Sequence, residues 1–330
     1  MLQGKERQMG KSDTYSKDLM QDNDYFADIV NNVLFQGREF VHPNELRELD
    51  PTELTIVEEL VEESISIQKY RDVLKQISIR EDDKTIYVII GIENQTDIHY
   101  AMPVKNLLYD AIRYAKQVDQ KTREYKKKET KGILVPKLTS TEFLSGWRKK
   151  DKLQPVITIT VYYGTKKWDG PRSLHEMLDD SIKEPVLRLI PDYKLHLLEP
   201  AGITSWDTYK SDIGLLFQAI AVSDEKNGIN NLVKEKSRKF CHVDNKIVNA
   251  INFYTNAKIP INKNEEGKVM DVCYAVKTAE AGNMIETCVG LKHSLEETLE
   301  YVLSKFVDDK DITEEYVIAE YNYFFEKKNN

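Results

Sequence analysis

Two acidic residues, Asp72 and Glu93, have the types and spacing best suited to chemistry in this chain. Asp72 lies in Lys69-Tyr70-Arg71-Asp72-Val73-Leu74-Lys75, and Glu93 in Ile92-Glu93-Asn94-Gln95. The interval between them is what a β-hairpin needs. Residues 73–79 and 85–92 read as strands, with Arg80-Glu81-Asp82-Asp83-Lys84 as the polar turn. Such a hairpin brings Asp72 and Glu93 close together, and Gln95 projects from the same face as Glu93 because side chains alternate along a strand. Hard oxygen donors of this kind suit magnesium or manganese. The apolar run Ile86–Ile92 reads as a central strand, so a lone carboxylate at its end would be costly. A metal or a basic partner is therefore expected.

The elements that must position these residues follow from the same pattern. Residues 1–20 are polar and irregular and read as a disordered tail. A helix is predicted from about Asp24 to Phe35, with Phe26, Ile29, Val30, Val33 and Leu34 on one side and Gly37 as its stop. Residues 41–64 read as a loop and a short acidic helix. After the hairpin, an amphipathic helix is predicted from about Met102 to Val118. A basic stretch, 119–152, then interrupts the pattern as an insertion. Pro155–Gly164 reads as a buried strand rich in β-branched and aromatic residues, Ser173 as the cap of a short helix, and Tyr193–Leu198 as a last strand. From about Ser205 apolar residues recur at helical spacing, with breaks near Asn227-Gly228 and Asn262–Gly267. The expected division is a tail (1–20), an α/β core (21–203) and a helical C-terminal lobe (204–330).

Composition narrows the classes of function. The net charge of −8 argues against binding nucleic acid through bulk charge, but the charge is uneven. Lys121 to Lys152 holds 11 Lys/Arg against 4 Asp/Glu, a local +7 that leaves −15 for the remainder. Such a segment could track a phosphate backbone or serve only as a solvated insertion. No apolar run approaches the length of a membrane span. The polar start, Met1–Arg7, lacks the apolar segment of a secretory signal, so a cytoplasmic location is the expectation. Cys241, Cys273 and Cys288 show neither a disulfide framework nor zinc-ligand spacing, and the histidines form no metal-binding motif. Gly91 and Gly164 stand alone, so there is no phosphate-cradling glycine loop.

Four segments in order carry a resemblance. Tyr70-Arg71-Asp72-Val73-Leu74 and Gly91-Ile92-Glu93-Asn94-Gln95 come first, then Lys105 and Tyr109 on the following helix. Pro155–Gly164 with Ser173-Leu174 and Met177-Leu178-Asp179 complete the set. Together they resemble the recombination-promoting nuclease (Rpn) or YhgA-like putative transposase family of the PD-(D/E)xK nuclease superfamily, over roughly residues 24–200. The resemblance implies an α/β, restriction-endonuclease-like fold: a mixed central sheet flanked by helices. It implies a metal-dependent DNA endonuclease of recombination, mobile-element or defence biology, using Mg²⁺ (or Mn²⁺ or Ca²⁺).

In that reading Asp72 and Glu93 bind the ion, with the backbone carbonyl of Asn94. Gln95 stands where many superfamily members have lysine and orients the attacking water. Lys105 places a cation near the scissile phosphate, and Tyr109 reads as a packing residue with a hydroxyl tether. The family also suggests an acid or amide on the first helix, for which Asp28 is the candidate and Asp24 a competitor. Lys126, Lys127, Lys128, Arg148, Lys149 and Lys150 are the candidate contacts to the nucleic-acid backbone. The alternative is a weakened nuclease-like module that binds DNA or a protein partner, and nothing in the sequence separates DNA from RNA. Leu295, Leu299, Val302, Leu303 and Phe306 form a stripe that fits an intrachain core or a homodimer seam.

Overall fold

A computed structural model describes residues 15–49, 72–81, 84–130, 139–261, 269–307 and 309–329. In chain order the first unit holds α1 (Asn23–Phe35), β1 (Arg47–Glu48), β2 (Val73–Glu81), β3 (Lys84–Gln95), α2 (Met102–Thr130), α3 (Ser140–Ser145), β4 (Val156–Tyr162), α4 (Glu184–Leu187) and β5 (His196–Leu198). Then come α5 (Ile213–Ala221), α6 (Gly228–Glu235), α7 (Ser237–Phe240), β6 (Val243–Asp244), α8 (Asn245–Thr255), β7 (Val269–Met270), α9 (Val272–Gly290), α10 (Leu295–Lys305) and α11 (Glu314–Asn329). The chain divides into two compact units, 1–214 and 215–330.

The first unit is built on a mixed five-stranded sheet in the order β1-β2-β3-β4-β5. β1, β2 and β3 pair antiparallel, whereas β3–β4 and β4–β5 are parallel. The parallel step from β3 to β4 is made through α2, as a parallel pair requires a crossover. Central β3 is buried along Val88–Asn94, and its isoleucines 89, 90 and 92 are at most 2% exposed. Each such side chain contributes roughly 1.5–3 kcal/mol by leaving water. Helices cover both faces. On one, Leu74, Ile89 and Val156 pack with Tyr114 of α2. On the other, the buried Lys75 reaches the α1 end, donating to the Gln21 carbonyl at 2.8 Å and Asn23 Oδ1 at 2.6 Å and lying over the Phe26 ring.

The mixed sheet, its flanking helices and the helical C-terminal region agree with expectation. Several local readings need correction. The hairpin strands run to Glu81 and from Lys84, so the turn is shorter than Arg80–Lys84. Within the expected disordered tail, residues 15–20 are helical and bury Leu19 and Met20; residues 1–14 lie outside those described. The acidic helix expected within 41–64 lies largely outside them too, apart from a 3-10 turn at Pro43–Glu45 and strand β1.

The basic stretch is not an insertion where it begins. α2 continues twelve residues past Val118 to Thr130. Its apolar periodicity ends there, and charge pairs at helical spacing replace it: Arg123–Asp119 at 2.9 Å, Lys121–Glu124 at 3.3 Å, and Lys128–Glu124. The segment after the helix also holds it, since Thr122 Oγ1 donates to the Gly146 carbonyl at 2.8 Å and Tyr125 to Asp151 at 2.6 Å.

In the second unit, α9, α10 and α11 share a core of Ala281, Ile285, Val289, Val302, Ile312, Val317 and Tyr321. Leu295, Leu299, Leu303 and Phe306 pack against it, so the predicted stripe serves an intrachain core. Thr313 accepts from the Tyr316 N–H at 3.3 Å at the start of α11. Strand character was expected to fade here, but β6 and β7 form a short antiparallel pair. The expected break at Asn262–Gly267 lies outside the described residues.

Candidate metal centre

The hairpin register sets the geometry. Val73 pairs with Ile92, and one further step places Asp72 opposite Glu93. Asp72 Oδ2 accepts the Asn94 N–H at 2.8 Å, which fixes its carboxylate at the end of β3. The Gln95 carbonyl accepts from Tyr163 on the β4 side. Successive peptide groups alternate direction in a strand, so the Asn94 N–H and carbonyl face the Asp72 side. Asp72, Glu93 and the Asn94 carbonyl are the hard-oxygen groups at this end of β3, and oxygen donors of that kind could hold Mg²⁺, Mn²⁺ or Ca²⁺. Gln95 is the last residue of β3, half-buried opposite Tyr162 of β4.

Glu93 is 3% exposed at the end of this apolar strand, and the structure gives it a basic partner. Lys105 Nζ, from the first turn of α2, lies 2.6 Å from Glu93 Oε1, the two side chains being 15% and 4% exposed. The same ammonium sits 5.9 Å from the ring centre of Tyr109, which is one turn on and 2% exposed. Tyr109 is therefore a packing platform under the lysine. His99, on the loop before α2, has its pKa lowered by desolvation and, secondarily, by the charge of Lys105.

What holds Lys105 in place was not among the sequence candidates. Asn106, one residue on and fully buried, donates from Nδ2 to Thr160 Oγ1 at 2.9 Å. Asp110, one turn further, accepts from Thr158 Oγ1 at 2.6 Å and from the Tyr193 hydroxyl at 2.7 Å. These bonds set the register of α2 on β4. The available signal was a pair of threonines at period two in the apolar run Val156–Tyr162, facing an Asn–Asp pair at i, i+4.

The remaining candidates fall elsewhere. Asp28 Oδ2 accepts from the Lys210 N–H (3.0 Å), the Ser211 N–H (2.8 Å) and the Ser211 hydroxyl (2.6 Å), while Oδ1 accepts from Asn32 (2.9 Å). That carboxylate anchors the loop before α5. Asp24 lies in the first turn of α1, and its N–H is accepted at 2.9 Å by the N-cap residue Asp22.

Among the basic residues, Lys126, Lys127, Lys149 and Lys150 are exposed. Lys128 pairs with Glu124. Arg148, by contrast, is 6% exposed and stacks 4.5 Å from the centre of the Tyr125 ring. No helix among the described residues is long and apolar enough to cross a membrane.

Comparison with known families matches residues 11–238 to the family described as "Putative transposase, YhgA-like". No curated protein and no solved structure gives a match.

Proposed function

The chain belongs to the YhgA-like putative transposase family, and from that premise we propose that it is a metal-dependent DNA endonuclease. One observation carries the reading. At the end of β3 the buried Glu93 pairs with Lys105 of the next helix at 2.6 Å, and Asp72, just before β2, is tied to the same strand end by the Asn94 N–H. Asp72, Glu93 and the Asn94 carbonyl would hold the divalent ion. A bound ion supplies a lowered pKa for water and charge stabilisation on the phosphoryl oxygens.

The residues of the chain do the rest. The Gln95 amide, which can both donate and accept, would orient the attacking water by hydrogen bonding. It carries no charge, so it cannot supply the stabilisation that an ammonium gives. Lys105 would supply that charge from α2, switching its contact from Glu93 toward a phosphate oxygen as negative charge builds there. Lys126, Lys127, Lys149 and Lys150 would steady the backbone without reading sequence.

Incubation of supercoiled plasmid with the purified protein and Mg²⁺ or Mn²⁺ tests this. Nicking is expected from the wild type and not from Asp72→Ala or Glu93→Ala. Nicking that survives both substitutions would sink the assignment of the site, and an inert wild type would sink the enzyme.

A further inference from the structure

The second unit brings together two cysteines whose separation in sequence conceals them. β6 pairs with β7 antiparallel, Val243 opposite Met270. Cys241 lies two residues before Val243, Asp271 directly after Met270, and Cys273 in the first turn of α9. The pairing therefore joins three ligand-bearing side chains at one end, and their donor atoms all lie within 4.8 Å of one another. None of the three is in the stretch that matches the family, which stops at 238.

We infer that Cys241, Cys273 and Asp271 form a binding site for a thiophilic divalent cation, zinc by preference, separate from the carboxylate centre. Two sulfurs and one oxygen are a borderline-soft set that suits Zn²⁺ and not Mg²⁺. A tetrahedral ion with bonds of about 2.3 Å to sulfur and 2.1 Å to oxygen spaces its donors about 3.6–3.8 Å apart, so a small contraction completes the site. Water takes the fourth position, because the protein supplies three ligands.

The local structure already orients two of the three. Asp271 caps α9 by accepting the Tyr274 N–H at 3.0 Å on Oδ1, and a carboxylate so used can still bind a cation through its other oxygen. Cys273 Sγ is held 3.4 Å from the Ser237 carbonyl. Both cysteines are half-buried, which limits exchange with bulk water but leaves an entry path.

Cobalt(II) titration of the reduced full-length protein is the test, read by thiolate-to-cobalt charge-transfer absorption. The expected result is one equivalent bound, displaced by zinc, with the band lost in Cys241→Ser and in Cys273→Ser. Asp271→Asn is expected to keep a band but weaken binding at least tenfold. Zinc is also expected to raise the thermal midpoint of the wild type and leave both serine variants unmoved, while circular dichroism shows those variants folded. A reduced wild type that gives no charge-transfer band overturns the proposal, and so does a band that survives Cys273→Ser. Formation of a Cys241–Cys273 disulfide in air, with no cobalt bound after reduction, replaces it with a redox pair.

Discussion

Replacing Lys105 by methionine separates a structural ion pair from a metal site. The methionine keeps most of the apolar stem, so packing on Tyr109 changes little, while the buried Glu93 carboxylate loses its counter-charge. Both partners are well buried, at 15% and 4% side-chain exposure, so surface screening does not excuse the loss. Removing one partner of a buried pair costs about 3–5 kcal/mol. For a unit of this size that is a fall of roughly 6–20 °C in thermal midpoint.

If Asp72 and Glu93 form a metal site, a divalent ion can replace the missing ammonium. At a concentration of 100 times its Kd it returns about 2.7 kcal/mol. Differential scanning calorimetry with and without Ca²⁺ or Mg²⁺ measures both terms. The rescue is expected to be larger in Lys105→Met than in the wild type, where lysine and metal compete for Glu93. Adding Glu93→Gln to Lys105→Met is expected to restore stability and abolish the metal response. Nicking by Lys105→Met is expected to drop about 10²–10³-fold even where metal saturates. A Lys105→Met protein whose midpoint ignores divalent ions would refute the reasoning, and the pair would then be structural only.

Two further outcomes follow from neighbouring networks. Asp28→Ala removes the acceptor of two backbone N–H groups and a hydroxyl, and is expected to cost about 2–4 kcal/mol in urea denaturation while nicking per folded molecule stays within twofold; a collapse of nicking at full stability would return Asp28 to the site. The Tyr125 phenol is pushed up from 10.0 to about 12, by burial first and then by its bond to Asp151, so the folded state holds that proton more tightly than the unfolded chain. Its contribution to stability is complete below pH 10 and fades as pH rises through about 12. Urea midpoints taken at about pH 9 and about pH 11 should therefore diverge more in the wild type than in Tyr125→Phe, and equal divergence in both would count against it.

The hairpin and its acids were legible because register follows from alternation, and a one-residue slip would turn Glu93 away from the helix. The first half of α2 was legible for the same kind of reason, an apolar stripe. Its second half was not, since Arg123–Asp119 and Lys128–Glu124 leave a sequence that reads as a bare run of charge. Arg148 illustrates the cost of that reading: its burial depends on Tyr125, a contact between residues 23 apart that composition does not reveal. The anchoring contacts of Asp28 were not legible because its partners, Lys210 and Ser211, lie some 180 residues away. Cys241 and Cys273 were passed over for a similar reason, as ligand spacing is read along the chain and the β6–β7 pairing acts across it.

The continuity of α2 also sets a ruler. Lys105 and Lys126 ride on one unbroken helix, 21 residues apart. At 1.5 Å per residue they stand about 32 Å apart. Successive phosphates on one strand of duplex DNA advance about 3.4 Å, so the two cations span roughly nine base pairs. Under the proposed function, a duplex laid along α2 and shorter than that would meet the lysine at the acids or the lysines at the far end, but not both, so the helix would set the smallest footprint that uses its whole length.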